Sequence, residues 1–235
     1  MAMVLAAFAS GKDAPGNGYA VLLRHGQTAW SETGQYTGRT NLPLTAEGRN
    51  QAKAAGERLA SAFPEGFDPG LIFSSPLQRA RETAQLAGFN QLTDMPEIIE
   101  WDYGRAEGHR PAQVSTEMRN GWRLWVDGPQ ALRRCQVQDW ETELPSGEHI
   151  NVHVTEGETL NQVARRTRKV VGQIEPVVRA GGHVLLVAHA HVLRILVTQW
   201  LDLEPNKAQL LRMDTAHYGV LGIYQNQRVL KQWNV

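Results

Sequence analysis

Two histidines, two arginines and a glutamate stand out in this sequence for where they fall as well as for what they are. Val21-Leu22-Leu23-Arg24-His25-Gly26 is an apolar run that stops at an arginine, a histidine and a glycine. Alone it reads as a strand end with a solvated cation. Leu71-Ile72-Phe73-Ser74-Ser75-Pro76-Leu77-Gln78-Arg79 and Val184-Leu185-Leu186-Val187-Ala188-His189-Ala190-His191 repeat the design. Three such strands would deliver Arg24, His25, Arg79 and His189 to one sheet edge, where open α/β sheets place their ligands. Glu100, after Ile98-Ile99, adds a carboxylate, most simply a solvated strand-end charge when taken by itself. Together the five suit phosphate-monoester chemistry. Arginine's planar donors match phosphoryl oxygens in pairs, a histidine nitrogen can attack phosphorus, and a carboxyl group can protonate the leaving oxygen. His189 with His191, or His149 with His153, could pair on a metal, but no cysteine or carboxylate cluster stands at ligand spacing. No metal and no cofactor is expected.

The elements that must position these groups can be read around them. Thr45 is an N-cap for a helix over about 46–63, with Glu47 in its first turn. Ser75-Pro76 reads as a cap followed by proline at the first helical position, giving a helix from Pro76 to about Leu86 with Arg79 in its first turn. A cation there opposes the helix dipole, which points to a bound anion. Ile98-Ile99-Glu100 reads as a short strand. The spacing of Val114, Met118, Trp122 and Trp125 predicts an amphipathic helix over 113–126, with both tryptophans in packing roles. Residues 127–156 read as a long irregular insertion. Thr159-Leu160-Asn161-Gln162 fits a capping box that opens a helix to about Val178, with Pro176 near its end. A helix over 191–200 and two closing strands joined at Asn226-Gln227 finish the chain.

Composition bounds the remaining choices. At 235 residues with 42% apolar content, the chain suits one α/β domain over 19–235, preceded by a flexible tail over 1–18. Lys+Arg and Asp+Glu both number 24, so no global field draws it to nucleic acid or a membrane surface. No apolar run is long enough to span a bilayer. The single cysteine, Cys135, suits a reducing compartment, so a cytoplasmic protein is expected. A homodimer stays open, because nothing in the sequence specifies one.

These motifs, in their order, resemble the histidine phosphatase superfamily in its phosphoglycerate mutase-like branch. The pieces that carry the resemblance are Leu23-Arg24-His25-Gly26-Gln27-Thr28-Ala29-Trp30, Tyr36-Thr37-Gly38, Leu42-Pro43-Leu44-Thr45-Ala46-Glu47-Gly48, Ser74-Ser75-Pro76-Leu77-Gln78-Arg79-Ala80, Glu100 with Tyr103-Gly104, and Ala188-His189-Ala190-His191. The resemblance implies a three-layer α/β/α sandwich with a mostly parallel sheet. It implies that His25 is phosphorylated, that Arg24, Arg79 and a protonated His189 form the phosphate pocket, and that Glu100 is the proton donor. It places Gln35, Tyr36, Thr37, Gly38 and Tyr103 at the substrate mouth, and Gln27 and Ser31 on the loop around the phosphate. Ala190 stands where the family usually has glycine, beside the phosphate. The lysine and arginine pair by which cofactor-dependent mutases hold a second phosphate are not reproduced at Glu107-Gly108-His109-Arg110-Pro111 or Asn120-Gly121-Trp122-Arg123. The donor segment is more similar to that of sugar-phosphate and sugar-bisphosphate phosphatases. The expectation is a phosphatase acting on a small phosphorylated metabolite, with a 2,3-bisphosphoglycerate-dependent mutase as the alternative enzyme and an idle phospholigand-binding module as the alternative from another class. Residues 127–156 are expected to hold substrate choice; Arg133, Arg134, His149 and His153 could meet a second phosphate or carboxylate there, though each reads more simply as part of a solvated insertion.

Overall fold

The computed structural model describes residues 18–235, so all but the last residue of the expected tail lies outside the described residues. Strand β1 (Tyr19–Arg24) lies at the centre of a six-stranded sheet. With β2 (Ile72–Ser74), β3 (Thr93–Asp94), β6 (His183–Ala188), β7 (Tyr218–Tyr224) and β8 (Gln227–Gln232), the order is β3-β2-β6-β1-β7-β8. β3, β2, β6 and β1 run parallel, with Leu22 opposite Leu186 and Arg24 opposite Ala188. β7 and β8 complete the sheet as antiparallel neighbours.

Near-continuous apolar strands mean that both faces are covered. Val21 and Leu23 face one core, shared with Ala55 and Leu59 of α2 (Ala46–Ala62) and Ala80 and Ala84 of α3 (Gln78–Leu86). Ala20 and Leu22, one pleat away, face the other, shared with Val170 and Ile174 of α4 (Leu160–Arg179) and Leu196 and Trp200 of α5 (Ala190–Trp200). The expected three-layer α/β/α sandwich with a mostly parallel sheet is the observed architecture. α1 (Ala29–Thr33), closed by a Thr28–Ser31 capping box, follows β1 across the strand ends.

Several expected boundaries hold. Thr45 caps α2 by accepting from the Gly48 N–H, and Thr159 with Gln162 forms the capping box of α4, which runs through Pro176 to Arg179. Others shift for identifiable reasons. α3 starts at Gln78, two residues later than expected; the Ser75 hydroxyl is held by His189 at 2.7 Å and accepts only a long 3.4 Å bond from the Leu77 N–H. Ile98-Ile99-Glu100 is not a strand. A 3₁₀ turn covers Pro96–Ile98, and the carbonyls of Glu97, Ile99 and Glu100 are held by the Arg166 guanidinium at 2.7, 2.6 and 3.0 Å, which leaves no ladder to join. The helix expected over 113–126 is broken into a short turn, a π-helical turn at Val114–Met118 and a last turn at Leu124–Asp127, with Gly121 at φ +71° between them. Residues 127–156 are more ordered than expected. They contain a hairpin of β4 (Trp140–Glu143) and β5 (His149–Val152), whose Ile150 and Val152 pack with Leu144 onto Trp30 and Leu42. The closing turn uses Gln225 and Asn226, both at positive φ, one residue earlier than expected.

Candidate active site

The C-terminal ends of β1, β2 and β6 lie side by side, and the chain leaves each in a polar residue. The His25 N–H donates to the Ala188 carbonyl and the Ser75 N–H to the Val187 carbonyl, both at 2.9 Å, so the sheet's ladder continues into the site and fixes its backbone. Gly26 then passes so close to α2 that a Cβ would lie 2.3 Å from the Gly48 carbonyl oxygen; only glycine permits that approach. Above these ends opens a cavity of about 560 Å³ lined by Arg24, His25, Glu100 and the mouth residues described below.

His25 Nδ1 lies 2.7 Å from the Gly26 carbonyl, an acceptor only, so Nδ1 carries the proton and Nε2 keeps its lone pair. Burial, then the charges of Arg79 and Arg24, hold its pKa well below the usual imidazole range. The ring is therefore a neutral nucleophile with a fixed tautomer. Arg24 also lines the cavity. Its Nη1 donates to the Met213 carbonyl at 2.6 Å, and its buried Nε has no partner among the described residues.

Arg79 and His189 sit differently from expectation. Both are 0% exposed and absent from the cavity lining, with the His189 ring centroid 5.1 Å from that of His25. Arg79 donates to the carbonyls of Thr40, Thr37 and Gly38 at 2.8, 3.1 and 2.9 Å, and its Nε donates to His189 Nδ1 at 3.1 Å. His189 Nε2 must then donate to Ser75 Oγ, 2.7 Å away. This His189 is neutral, not protonated. Burial above all, and then the Arg79 charge, holds it well below the usual range. Burial also lowers the Arg79 pKa, to about 10, which still leaves it charged at neutral pH.

Glu100 is gripped by main-chain donors. Its Oε1 accepts from the Trp101 and Val192 N–H groups, both at 2.9 Å, and its Oε2 accepts from the His191 N–H at 3.1 Å. Two of these belong to the first turn of α5, so the helix dipole faces the carboxylate.

Of the expected mouth residues, Ser31, Gln35, Tyr36, Thr37, Tyr103 and Ala190 line the cavity. Gln27 does not; its amide oxygen accepts from Thr45 Oγ1 at 2.8 Å, on the α2 side. Gly38 does not either, because its carbonyl is given to Arg79 and its N–H to Glu107. No residue from 127 to 156 is on the lining. Arg133 pairs with Glu156 at 3.3 Å, and His153 with Asp139 at 2.6 Å. The outer wall comes instead from Leu124, Trp125, His191, Arg194, Leu210 and Arg212, which sequence reasoning missed as a group. Arg194 stacks over Trp125 at 4.8 Å from the ring centroid, and its Nε donates to the Ala208 carbonyl. One signal was available: Arg194 lies four residues after Ala190, on the same face of a helix whose start is in the site. His191 Nδ1 is 2.5 Å from the Tyr103 hydroxyl. Among the described residues no group of three or more His, Cys, Asp or Glu is arranged to hold a metal ion, and no helix is long and apolar enough to cross a membrane.

The chain is similar to proteins already known. Residues 20–235 match the model of the histidine phosphatase superfamily (branch 1). The chain is 32% identical to an acid phosphatase of Mycobacterium tuberculosis, covering 89% of each chain. It is 29% identical to sedoheptulose 1,7-bisphosphatase of Saccharomyces cerevisiae over 80% of this chain and 69% of that one. It is 30% identical to a 2,3-bisphosphoglycerate-dependent phosphoglycerate mutase of Bifidobacterium longum, over 83% of this chain and 82% of that one. A solved structure of an open reading frame product from Mycobacterium tuberculosis superposes with a TM-score of 0.76 at 30% identity, covering 93% of this chain and 98% of the other.

Proposed function

This chain belongs to branch 1 of the histidine phosphatase superfamily, and from that premise we propose that it is a metal-independent phosphatase that hydrolyses a small phosphorylated metabolite, a sugar phosphate or bisphosphate, through a phosphohistidine on His25. The observation that carries the reading is the His25 ring: neutral, with Nδ1 tied to the Gly26 carbonyl, and on the wall of a cavity shared with Glu100 and Arg24. In the first half-reaction Nε2 forms a bond to phosphorus. The P–O bond breaks with its electron pair going to the leaving oxygen, which takes a proton from Glu100. In the second, water attacks the phosphohistidine, the P–N bond breaks, and Glu100 recovers its proton. Arg24 and the buried Arg79 oppose the charge of the transferring group from fixed positions. His189 holds the Arg79 Nε in place as a neutral acceptor. Tyr36, Thr37, Tyr103 and Ala190 bound the substrate near phosphorus, while Arg194 and Arg212 meet a second anionic group farther out. Carbohydrate metabolism in the cytoplasm is the setting that fits, with the acid phosphatase and bisphosphatase relatives as support.

The mutase reading stays second: mutases are among the relatives and Arg194 supplies one cation of the kind missing at Glu107 to Arg123, but Arg212 is paired with Asp214 on the same lining at 2.9 Å. One experiment separates the readings. Phosphate release is followed from sugar mono- and bisphosphates, phosphoglycerates and nucleotides in EDTA, with bisphosphoglycerate-dependent mutase turnover in parallel. The expected result is fast hydrolysis of one class and its abolition by His25→Ala. Substantial activity in His25→Ala removes the covalent mechanism. Mutase turnover without hydrolysis reverses the ranking, and absence of any phosphate burst leaves a binding module.

A further inference from the structure

Glu107 is a buried carboxylate, 2% exposed, for which the mechanism has no use. Its Oε1 accepts from the Gly38 and Thr40 N–H groups at 2.9 and 3.0 Å, and its Oε2 lies 3.0 Å from the same Gly38 nitrogen. The carbonyls of this turn, at Thr37, Gly38 and Thr40, all point the other way, at the Arg79 guanidinium. The Thr37–Gly38 peptide unit is thus clamped between an anion on its N–H and a cation on its C=O, and the Thr40 N–H and the Gly38 and Thr40 carbonyls on either side of it go to the same two groups. A peptide dipole aligned between opposite charges is stabilised from both ends, and the same alignment strengthens both of its hydrogen bonds. The clamp leaves no room for a side chain within it: a Cβ on Gly38 would lie 2.5 Å from the Trp101 carbonyl oxygen and 2.7 Å from Glu107 Oε2.

The chain of contacts does not stop at Arg79. Its Nε fixes His189 Nδ1 as an acceptor, which makes His189 Nε2 the donor to Ser75. We infer that Glu107 is a positioning residue for the anion pocket: by holding the N–H side of the Thr37–Thr40 turn it aims that turn's carbonyls at Arg79, and through Arg79 it sets the orientation of His189. The inference rests on the phosphatase reading only in taking the anion to be a phosphoryl group.

The clamp is also sensitive to protons. Burial pushes the Glu107 pKa up to about 7, against the hydrogen bonds from Thr40 and Gly38 and the Arg79 charge. The groups that face it are Arg79 from α3 and Tyr103 from its own loop, and both keep one charge state through neutral pH. His25, His189 and His191 are all held well below the usual imidazole range. Above about pH 7 Glu107 is an acceptor for both N–H groups, and below it one carboxyl oxygen carries a proton and the grip on Gly38 weakens.

The test is direct binding of tungstate, a tetrahedral dianion, by calorimetry on wild type, Glu107→Gln and Glu107→Ala, with the melting temperature of each. Gln keeps one acceptor oxygen in place and loses the charge. At about pH 8 the Kd should rise about tenfold in Glu107→Gln, the size of a lost charge-assisted hydrogen bond, and further in Glu107→Ala. Wild-type affinity should weaken as pH falls from about 8 to about 6, and this bend should vanish in Glu107→Gln. Equal Kd and equal pH profiles for wild type and Glu107→Gln overturn the inference, whatever happens to the melting temperature. Hydrolysis that persists alongside that null result sinks the positioning role alone. A wild type that binds no tungstate removes the anion pocket on which both readings depend.

Discussion

Glu107 makes a second, thermodynamic prediction that needs no ligand. Its carboxyl group ionises near 4.5 in an unfolded chain and near 7 in the folded one. Between those values the folded state binds more protons than the unfolded, so stability falls as pH rises through the window. A shift from 4.5 to about 7, at roughly 1.4 kcal/mol per unit, amounts to about 3 kcal/mol. The buried histidines act with the opposite sign. His25, His189 and His191 resist protonation when folded, so they cost stability as pH drops below the usual imidazole range. A wild-type profile therefore mixes both trends, and the informative quantity is the difference from Glu107→Gln. The amide does not titrate, and its own fixed cost is the same at every pH. Urea unfolding from about pH 4.5 to about pH 8 should show Glu107→Gln gaining about 3 kcal/mol on wild type, or about 6–12 °C in Tm for a domain of this size. A difference that stays flat across the range refutes the reasoning: Glu107 would then ionise as an ordinary carboxylate.

Two further outcomes follow from the walls of the site. Arg194→Met should lower the ratio of kcat/KM for a sugar bisphosphate to that for its monophosphate about tenfold, since its guanidinium, stacked on Trp125, is the inner of the two outer cations; an unchanged ratio places the second anion elsewhere. Gly38→Ala drives a methyl to within 2.5 Å of the Trp101 carbonyl oxygen and should cost about 2 kcal/mol or more in thermal or urea unfolding, while wild-type stability would mean that the turn has room to move.

Where the chemistry depended on local grammar, the sequence was readable. Arg24, His25 and His189 end apolar strands, and a strand's end is set by its own pattern of residues. Thr45 and Thr159 cap helices with side chains three residues from the donors they satisfy. The failures are all cases of distant partners overriding that grammar. Ile98-Ile99-Glu100 has strand composition, but Arg166, from a helix more than sixty residues on, takes its carbonyls. Val114, Met118, Trp122 and Trp125 have helical spacing, yet they pack inward from a broken chain: Val114 and Met118 from one π-helical turn, Trp122 edge to face on Tyr36, and Trp125 on Trp101. Gln27 and Gly38 lie within motif stretches, yet their polar groups face α2 and Arg79, which only the folded chain decides. The outer wall was illegible for the same reason: residues 209–214 have no pattern of their own and reach the site by packing beside α5.

Glu100 and α5 explain why the site needs so many cationic side chains. A helix N-terminus at the end of a parallel strand is a ready anion site, with free N–H groups and the positive end of the dipole. Here the first turn of α5 gives the His191 and Val192 N–H groups to Glu100. Those donors serve the carboxylate and are closed to a phosphoryl group. Two glycines near the site do not replace them, since Gly26 is pressed onto Gly48 and Gly38 is clamped between Arg79 and Glu107. Charge on the transferring group must then be met by side chains, and Arg24 is the one at the cavity wall whose Nε has no protein partner among the described residues. Main-chain dipoles hold the proposed acid–base group and arginines hold the proposed phosphoryl group. The two cannot exchange duties, because a peptide N–H that donated to the phosphate instead would leave a buried Glu100 oxygen without its donor.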